Sequence, residues 1–218
     1  MKPQARFALP FVAMICLLGS AQADPVTFHF SGQVSAIIHD DIANTFSANF
    51  AVGDSVTGSF SFDTSASGTV IFPYLESYPA SFNAYVNGHH FFGGAQYRIF
   101  NDGPGGDGFS IVNEDGSYSA PALGTLVPST FFLQFLGMPT STLSDLSLVT
   151  DPAALVPLAD PWYAPNGLRL YNRSNSDDYG ALYFTIDSVK AVPDSGATLA
   201  LLGSTLLGIA ALRRRFAA

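Results

Sequence analysis

Apolar and polar residues alternate along most of the chain between residues 26 and 189. Phe28 and Phe30 flank the polar His29, with Thr27 and Ser31 on either side, so an extended segment would have one apolar and one polar face. This two-residue period is typical of a β-strand with one buried face. The same pattern, bounded by Gly, Asn, Asp or Pro, predicts strands at 26–31, 46–50, 56–62, 82–86, 96–101, 108–113, 130–136, 167–171 and 181–189.

Turn residues and aromatic content indicate how these strands assemble. Asn87-Gly88 between two apolar runs predicts a tight β-hairpin. The mature region shows no sustained helical period, although Asp145–Val156 could form a short helical turn. About ten short strands and nineteen phenylalanines in the chain predict an all-β domain, an antiparallel β-sandwich or jelly roll over residues 24–190.

Residues 1–23 have the three-part pattern of a signal peptide. A basic start precedes an apolar stretch from Phe7 to Gly19, and the small residues Ala21 and Ala23 form a cleavage site before Asp24. The chain's one cysteine, Cys16, lies inside this segment. The exported domain is therefore expected to contain neither disulfides nor thiolate metal ligands.

Residues 191–218 form a second three-part signal. Val192–Gly196 reads Val-Pro-Asp-Ser-Gly, a turn-forming run, and the uncharged apolar segment 197–212 precedes Arg213, Arg214 and Arg215. This order predicts a short transmembrane helix with a basic stop on the cytoplasmic side. At about 1.5 Å per residue the segment spans roughly 24 Å, less than the ~30 Å hydrocarbon core. A permanent anchor would gain from greater length, whereas a temporary one need not be longer.

This tail resembles the C-terminal sorting domain of PEP-CTERM proteins, in the variant whose first element is Val-Pro-Asp-Ser-Gly. The resemblance implies that an exosortase, a membrane protein resembling a cysteine transpeptidase, recognises Val192, Pro193, Asp194, Ser195 and Gly196. It also implies transient anchoring in the inner membrane, release to the cell surface or the extracellular space, and association with extracellular polysaccharide. The alternative is a plain C-terminal membrane anchor.

The charge of the central domain excludes one class of partner. Residues 24–190 carry sixteen acidic and four basic side chains, a formal charge of −12. An acidic domain without a basic patch repels the phosphate backbone. Nucleic-acid binding is therefore not expected.

The glycine-rich loop 101–108 contains the best candidate for a metal site. Asp102 and Asp107 are five residues apart, and the glycines around them allow carbonyl oxygens to turn inward, as calcium ligands require. The Asp-x-Asp-x-Asp-Gly pattern of an EF-hand loop is absent, so ordinary solvated turns are the competing interpretation. No other cofactor is expected.

Trp162 and Tyr163 could form a platform on which a sugar ring stacks, although core or loop packing is the better interpretation. No catalytic motif is found. Gly53-Asp54-Ser55 is similar to the start of a GDSL-type esterase, but no histidine follows His90 to act as the base, so a tight turn is the better interpretation. We therefore expect a non-enzymatic surface or matrix protein. The alternatives are a carbohydrate-binding module and a secreted polysaccharide-active enzyme.

Overall fold

The structure is a computed structural model that describes residues 25–160, 166–172 and 175–192. Within these ranges the regular secondary structure is almost entirely β-strand, with one short α-helix and two 3₁₀ turns. The elements in chain order are β1 (Val26–His39), α1 (Thr45–Asn49), β2 (Ser55–Phe62), β3 (Thr69–Phe72), β4 (Leu75–Val86), β5 (His89–Gly103), β6 (Gly106–Asn113), β7 (Leu126–Met138), 3₁₀ turns at Pro152–Ala154 and Val156–Leu158, β8 (Asn166–Asn172) and β9 (Asn175–Ala191).

The strands form one closed antiparallel barrel. They lie in the order β2-β1-β9-β8-β7-β6-β5-β4, and β4 pairs back onto β2, with Val56 opposite Val86 and Phe62 opposite Ala80. The short β3 pairs with the beginning of β4, beyond its pairing with β2. The all-β prediction is confirmed. The arrangement as a sandwich or jelly roll is wrong, because the β2–β4 pairing closes a single sheet.

Antiparallel pairing places alternate connections at opposite ends of the barrel. The connections 40–54, 87–88 and 114–125 lie at one end, together with the finish of β8, and we call this the far end. The connections 63–74 and 104–105 and the segment 139–160 lie at the other, together with the start of β1 and the finish of β9. We call this the tail end, because the C-terminal tail follows β9.

Aromatic rings fill much of the barrel interior. Phe82 of β4 and Phe131 of β7 stack with their ring centres 4.0 Å apart, and Phe62 of β2 stacks on Tyr97 of β5 at 4.4 Å. Burying one large apolar side chain stabilises a fold by about 1.5–3 kcal/mol. The largest side chains that are completely enclosed include Phe28, Phe60, Phe91, Phe109, Ile99, Ile111, Leu133 and Leu168. The phenylalanine-rich composition thus corresponds to a continuous aromatic core.

A short helix, rather than the predicted strand over 46–50, closes the far end. Phe46 and Phe50 are both buried, with ring centres 5.3 Å apart. Their four-residue separation fits one face of a helix as well as one face of a strand, which explains the wrong prediction. The Asp41 carboxylate accepts hydrogen bonds from the backbone amides of Thr45 (2.7 Å) and Phe46 (3.1 Å), which lack partners within the helix.

The segment 139–160 covers the tail end, with several apolar side chains packed against the core. The hydroxyl of Tyr78 donates to the carbonyl oxygen of Leu146 at 2.9 Å, and that of Tyr97 donates to Val149 at 3.1 Å. The helical turn predicted within Asp145–Val156 corresponds in part to the two 3₁₀ turns, which begin later and extend to Leu158.

No helix within the described ranges combines the length and the apolar character needed to cross a bilayer. The apolar segment 197–212, for which a transmembrane helix is predicted, lies outside those ranges.

Candidate functional site

The last strand brings the sorting motif directly to the tail end of the barrel. Ala191 of β9 pairs with Phe28 of β1, and the amide of Val192 donates a hydrogen bond to the carbonyl oxygen of Thr27 at 2.8 Å. Val192 is partly buried. The first residue of the motif is therefore held by the folded domain, and the tail leaves the barrel at a defined point beside β1.

The rest of the motif is close to that point. Gly196 is four residues beyond Val192, and an extended residue covers at most about 3.6 Å, so the whole motif lies within about 15 Å of the barrel. Pro193, Asp194, Ser195 and Gly196 lie outside the described residues, as do Arg213, Arg214, Arg215 and the predicted cleavage residues Ala21 and Ala23.

The structure brings Asp102 and Asp107 together at the turn between β5 and β6, in unequal roles. Asp107 is completely buried, and its two carboxylate oxygens accept the amide hydrogens of Asp102 and Leu143, each at 2.8 Å. Asp102 is exposed and has a left-handed backbone conformation, with φ 53°. Asp107 thus ties the turn to the covering segment 139–160, and both its oxygens already have donors.

The buried carboxylates of Asp178 and Asp41 are also engaged by the fold. Asp178 accepts the amide of Ile42 at 2.8 Å and the side-chain amide of Asn172 at 3.0 Å. Partial burial raises the pKa of Asp41, but hydrogen bonds from the Thr45 hydroxyl and from the amides of Phe46 and Thr45 outweigh it, so this pKa lies below the usual value. Among the described residues, no group of three or more His, Cys, Asp and Glu side chains could hold a metal ion.

Three of the histidines contact different parts of the barrel. His39 contacts the carbonyl oxygen of Tyr179 at 2.9 Å and stacks on its ring. His89 packs edge-on against Phe50, whereas His90 faces the opposite side of β5 and contacts the Asn83 side chain at 2.8 Å. These contacts are structural.

The Gly53-Asp54-Ser55 segment forms the turn that opens β2. Gly53 has φ 94°, a conformation that glycine adopts without strain, and its amide donates to the carbonyl oxygen of Val34. The Asp54 side chain accepts the amide of Ala51 at 2.7 Å. The segment therefore forms a tight turn, as the sequence favours.

An aromatic ladder on the outer face of β4 and β5 was not anticipated from the sequence. Tyr85, His90 and Phe92 stack in succession, with ring centres 4.4 and 4.5 Å apart. Tyr85 and Phe92 are both exposed. The next residue on the same face of β5 is Gly94, where a side chain would meet open space. Phe92 is thus followed, on the same face of β5, by an open position at Gly94.

Polar groups line a groove at this position, which we call the Gly94 groove. The Arg98 guanidinium forms a two-pronged pair with the Glu114 carboxylate, at 2.7 and 3.0 Å, and also donates to the Gln96 side-chain oxygen. The buried Asn113 side chain donates a hydrogen bond to the carbonyl oxygen of Gly94 and so fixes the backbone at the base of the groove. The groove is lined by Gly94, Ala95, Gln96, Val112, Asn113, Glu114, Asp115 and Ser117. Its lining is mostly polar, with Ala95 and Val112 as the apolar members.

The strand alternation contained the signal for this site. Residues 90, 92, 94 and 96 share one face of β5, and two aromatics followed by a glycine on an outer face mark a flat, open surface. The predicted sugar platform, Trp162 and Tyr163, lies outside the described residues.

These features define a compact β-barrel that bears a C-terminal sorting tail at one end. A family model described as the VPDSG-CTERM motif matches residues 191–216. The tail is thus a variant of the PEP-CTERM-type exosortase sorting signal, as its resemblance implied. It marks the chain for export and membrane transit toward the cell surface, with an exosortase as partner. No curated protein and no solved structure matches the chain.

Proposed function

We propose that this protein is a non-enzymatic component of the cell surface or extracellular matrix, released from a temporary membrane tether by an exosortase and associated with extracellular polysaccharide. The predicted signal peptide exports the chain and is removed before Asp24. The tail then holds the barrel at the inner membrane until the exosortase acts on the motif at 192–196.

The observation that carries this proposal is the position of the motif. Val192 is fixed by its hydrogen bond to Thr27, and the residues after it follow the last strand of the barrel. An enzyme embedded in the membrane can then reach a motif that begins where the fold ends. In sequence, the aromatic residues of the core run from Phe28 to Phe184. Cleavage beyond Val192 therefore removes none of them.

The Gly94 groove supports the association with polysaccharide. Sugar rings have apolar C–H faces that pack on aromatic rings, and their hydroxyls exchange hydrogen bonds with carboxylates and amides. Phe92, exposed two residues before Gly94 on the same face of β5, offers a ring, and Gln96, Glu114 and Asp115 of the groove offer polar partners. The domain's formal charge of −12 favours a neutral polysaccharide over an anionic one.

Sorting is tested by expressing the chain in cells that contain a matching exosortase and separating membranes from released protein. We expect the parent chain to be released and Pro193→Ala to remain in the membrane fraction. Leu201→Ile is the matched control, because it keeps the length and apolar character of segment 197–212 and should be released normally. Equal release of Pro193→Ala and the parent would contradict recognition of the motif.

Polysaccharide binding is tested by affinity electrophoresis of the released protein in gels containing dextran, mannan, or the neutral polysaccharide of the expressing cells. We expect retardation by at least one of these, weakened about tenfold by Phe92→Ala, which corresponds to about 1.4 kcal/mol. Phe72→Ala is the control, since Phe72 is similarly exposed but lies elsewhere. Retardation by none of them, or equal retardation of both variants, would contradict the site.

A further inference from the structure

The hairpin formed by β3 and the start of β4 exposes three consecutive large apolar side chains. Val70, Ile71 and Phe72 are 64%, 41% and 51% exposed, and the Phe72 ring stacks on Tyr74 at 5.6 Å. All four residues of β3 are exposed, so neither of its faces packs on the core. Edge strands that are short and apolar are normally shielded by charge or by another element, so this exposure needs an explanation.

The hairpin is located at the tail end of the barrel, near the exit of the tail. The chain reaches β3 from Phe62, which pairs with Val26 at the start of β1, and the tail leaves from Val192 beside Thr27 of the same strand. β3 pairs with the beginning of β4, and β2 pairs with the later part of β4 on the same side. In the barrel, β1 alone lies between β2 and β9, so β3 is two strand positions from β9. Because neighbouring strands are about 4.8 Å apart, β3 is displaced sideways from β9 by about 10 Å.

The length of the tail brings this end of the barrel close to the membrane. The apolar segment begins at Ala197, five residues after Val192, and five extended residues cover at most about 18 Å. While segment 197–212 is inserted, the tail end must therefore face the bilayer at short range. Leu158, half exposed on the covering segment, is at the same end.

We propose that the β3 hairpin, with Val70, Ile71, Phe72 and Tyr74, inserts into the interfacial region of the bilayer while the tail is uncut. This proposal rests on the temporary tether described above. Aromatic and aliphatic side chains partition favourably at the level of the lipid headgroups. The hairpin adds a second contact beside the tail, which fixes the orientation of the barrel and keeps the Gly94 groove away from the membrane.

A lipid surface suits this hairpin better than a protein does. A four-residue strand offers far less area than the roughly 1,200–2,000 Å² that a stable protein–protein interface buries. The acidic domain disfavours an anionic surface, so the contact is apolar and should persist at high salt. By itself it is too small to hold the protein once the tail is cut, and release follows.

The test uses the full chain in vesicles of phosphatidylethanolamine with a minority of phosphatidylglycerol. Trp162 is the chain's one tryptophan, so Trp162→Phe provides a background without tryptophan. Phe72→Trp then places a reporter on the hairpin, and Phe92→Trp places a matched reporter on a similarly exposed residue toward the far end. Lipids brominated on the acyl chain quench tryptophan that enters the bilayer.

We expect both reporter proteins to float with the vesicles, and the emission of the Phe72→Trp protein to be quenched several-fold more strongly than that of the Phe92→Trp protein, with little change at high salt. Flotation with equal quenching would overturn the hairpin contact but leave the tether intact. Failure of both proteins to float would contradict the tether, and the hairpin proposal with it. If Phe72→Asp abolished exosortase processing while the hairpin reporter stayed unquenched, the hairpin would be a protein-docking surface, which also overturns the proposal.

Discussion

The amide of Val192 and the carbonyl oxygen of Thr27, 2.8 Å apart, join the last described residue to the first strand of the barrel. The sorting tail and the predicted signal peptide are therefore attached to the same end of the domain. Removal of either signal leaves the closed ring of strands unbroken. Under the proposed function, the barrel would therefore not have to refold when the tail is cut.

The bond between Val192 and Thr27 can be removed without changing the acceptor. In a chain covering residues 24–196, Val192→Pro lacks the donor and should lower the free energy of unfolding by about 1 kcal/mol. Val192→Ala keeps the donor and serves as the control. Urea denaturation measures the difference, and equal midpoints for the two variants would show that the bond does not hold the tail.

Asp107 should be important for stability. Asp107→Asn replaces one acceptor oxygen by a donor, so either the Asp102 amide or the Leu143 amide loses its partner in a buried site. We expect a loss of about 1–3 kcal/mol in the free energy of unfolding. Asp102→Asn, at an exposed carboxylate whose backbone amide is retained, should change it little, and urea denaturation compares the two.

Calcium should not change the stability of the folded barrel, because both Asp107 oxygens already accept amide hydrogens. Thermal unfolding in excess calcium and in a chelator should give the same midpoint. A calcium-dependent rise in this midpoint that disappears in Asp102→Ala would instead support the calcium site predicted from the glycine-rich loop.

The cap on α1 should make part of the stability depend on pH. The pKa of Asp41 is lowered in the fold, so its contribution is complete above the unfolded value of about 3.9 and is lost as the pH falls through the folded value. Asp41→Ala should lower the unfolding free energy by about 1 kcal/mol at neutral pH. The gap to the parent should narrow below pH about 4. A gap of constant size between pH 7 and about 3 would show that the ionised carboxylate is not what stabilises the helix.

Gly180 and Gly94 provide a matched pair for testing the packing. A Cβ atom at Gly180 would overlap the Phe46 ring, so Gly180→Ala should destabilise the barrel by about 1–3 kcal/mol. At Gly94 the same atom meets open space, and Gly94→Ala should have little effect on urea unfolding. Equal effects would contradict the packing of α1 against β9.

The sequence predicted the strands better than their assembly. Asn87 and Gly88 have positive φ values of 48° and 77°, and they connect β4 to β5 as the Asn-Gly pair indicated. Closure of the barrel depends on the pairing of β2 with β4, which are separated in the sequence by β3. Alternation gives the same inward and outward faces in a sandwich and in a barrel, so this pairing left no signal in the pattern.

The candidate sites also differ in how far the sequence could predict them. The tail motif is a contiguous run of residue types, so the sequence alone was sufficient to identify it. Arg98 and Glu114 meet beside the Gly94 groove only because β5 pairs with β6, and Asp107 reaches Leu143 only because segment 139–160 folds back over the tail end. Such contacts depend on the tertiary structure and could not be predicted locally.

The most direct test of the account is mass spectrometry of the mature protein recovered outside cells that contain a matching exosortase. We expect an N-terminus at Asp24 and a C-terminus before Ala197, with segment 197–212 and the three arginines removed. A released protein that still ends in Arg213-Arg214-Arg215 and the residues after them would contradict the temporary tether.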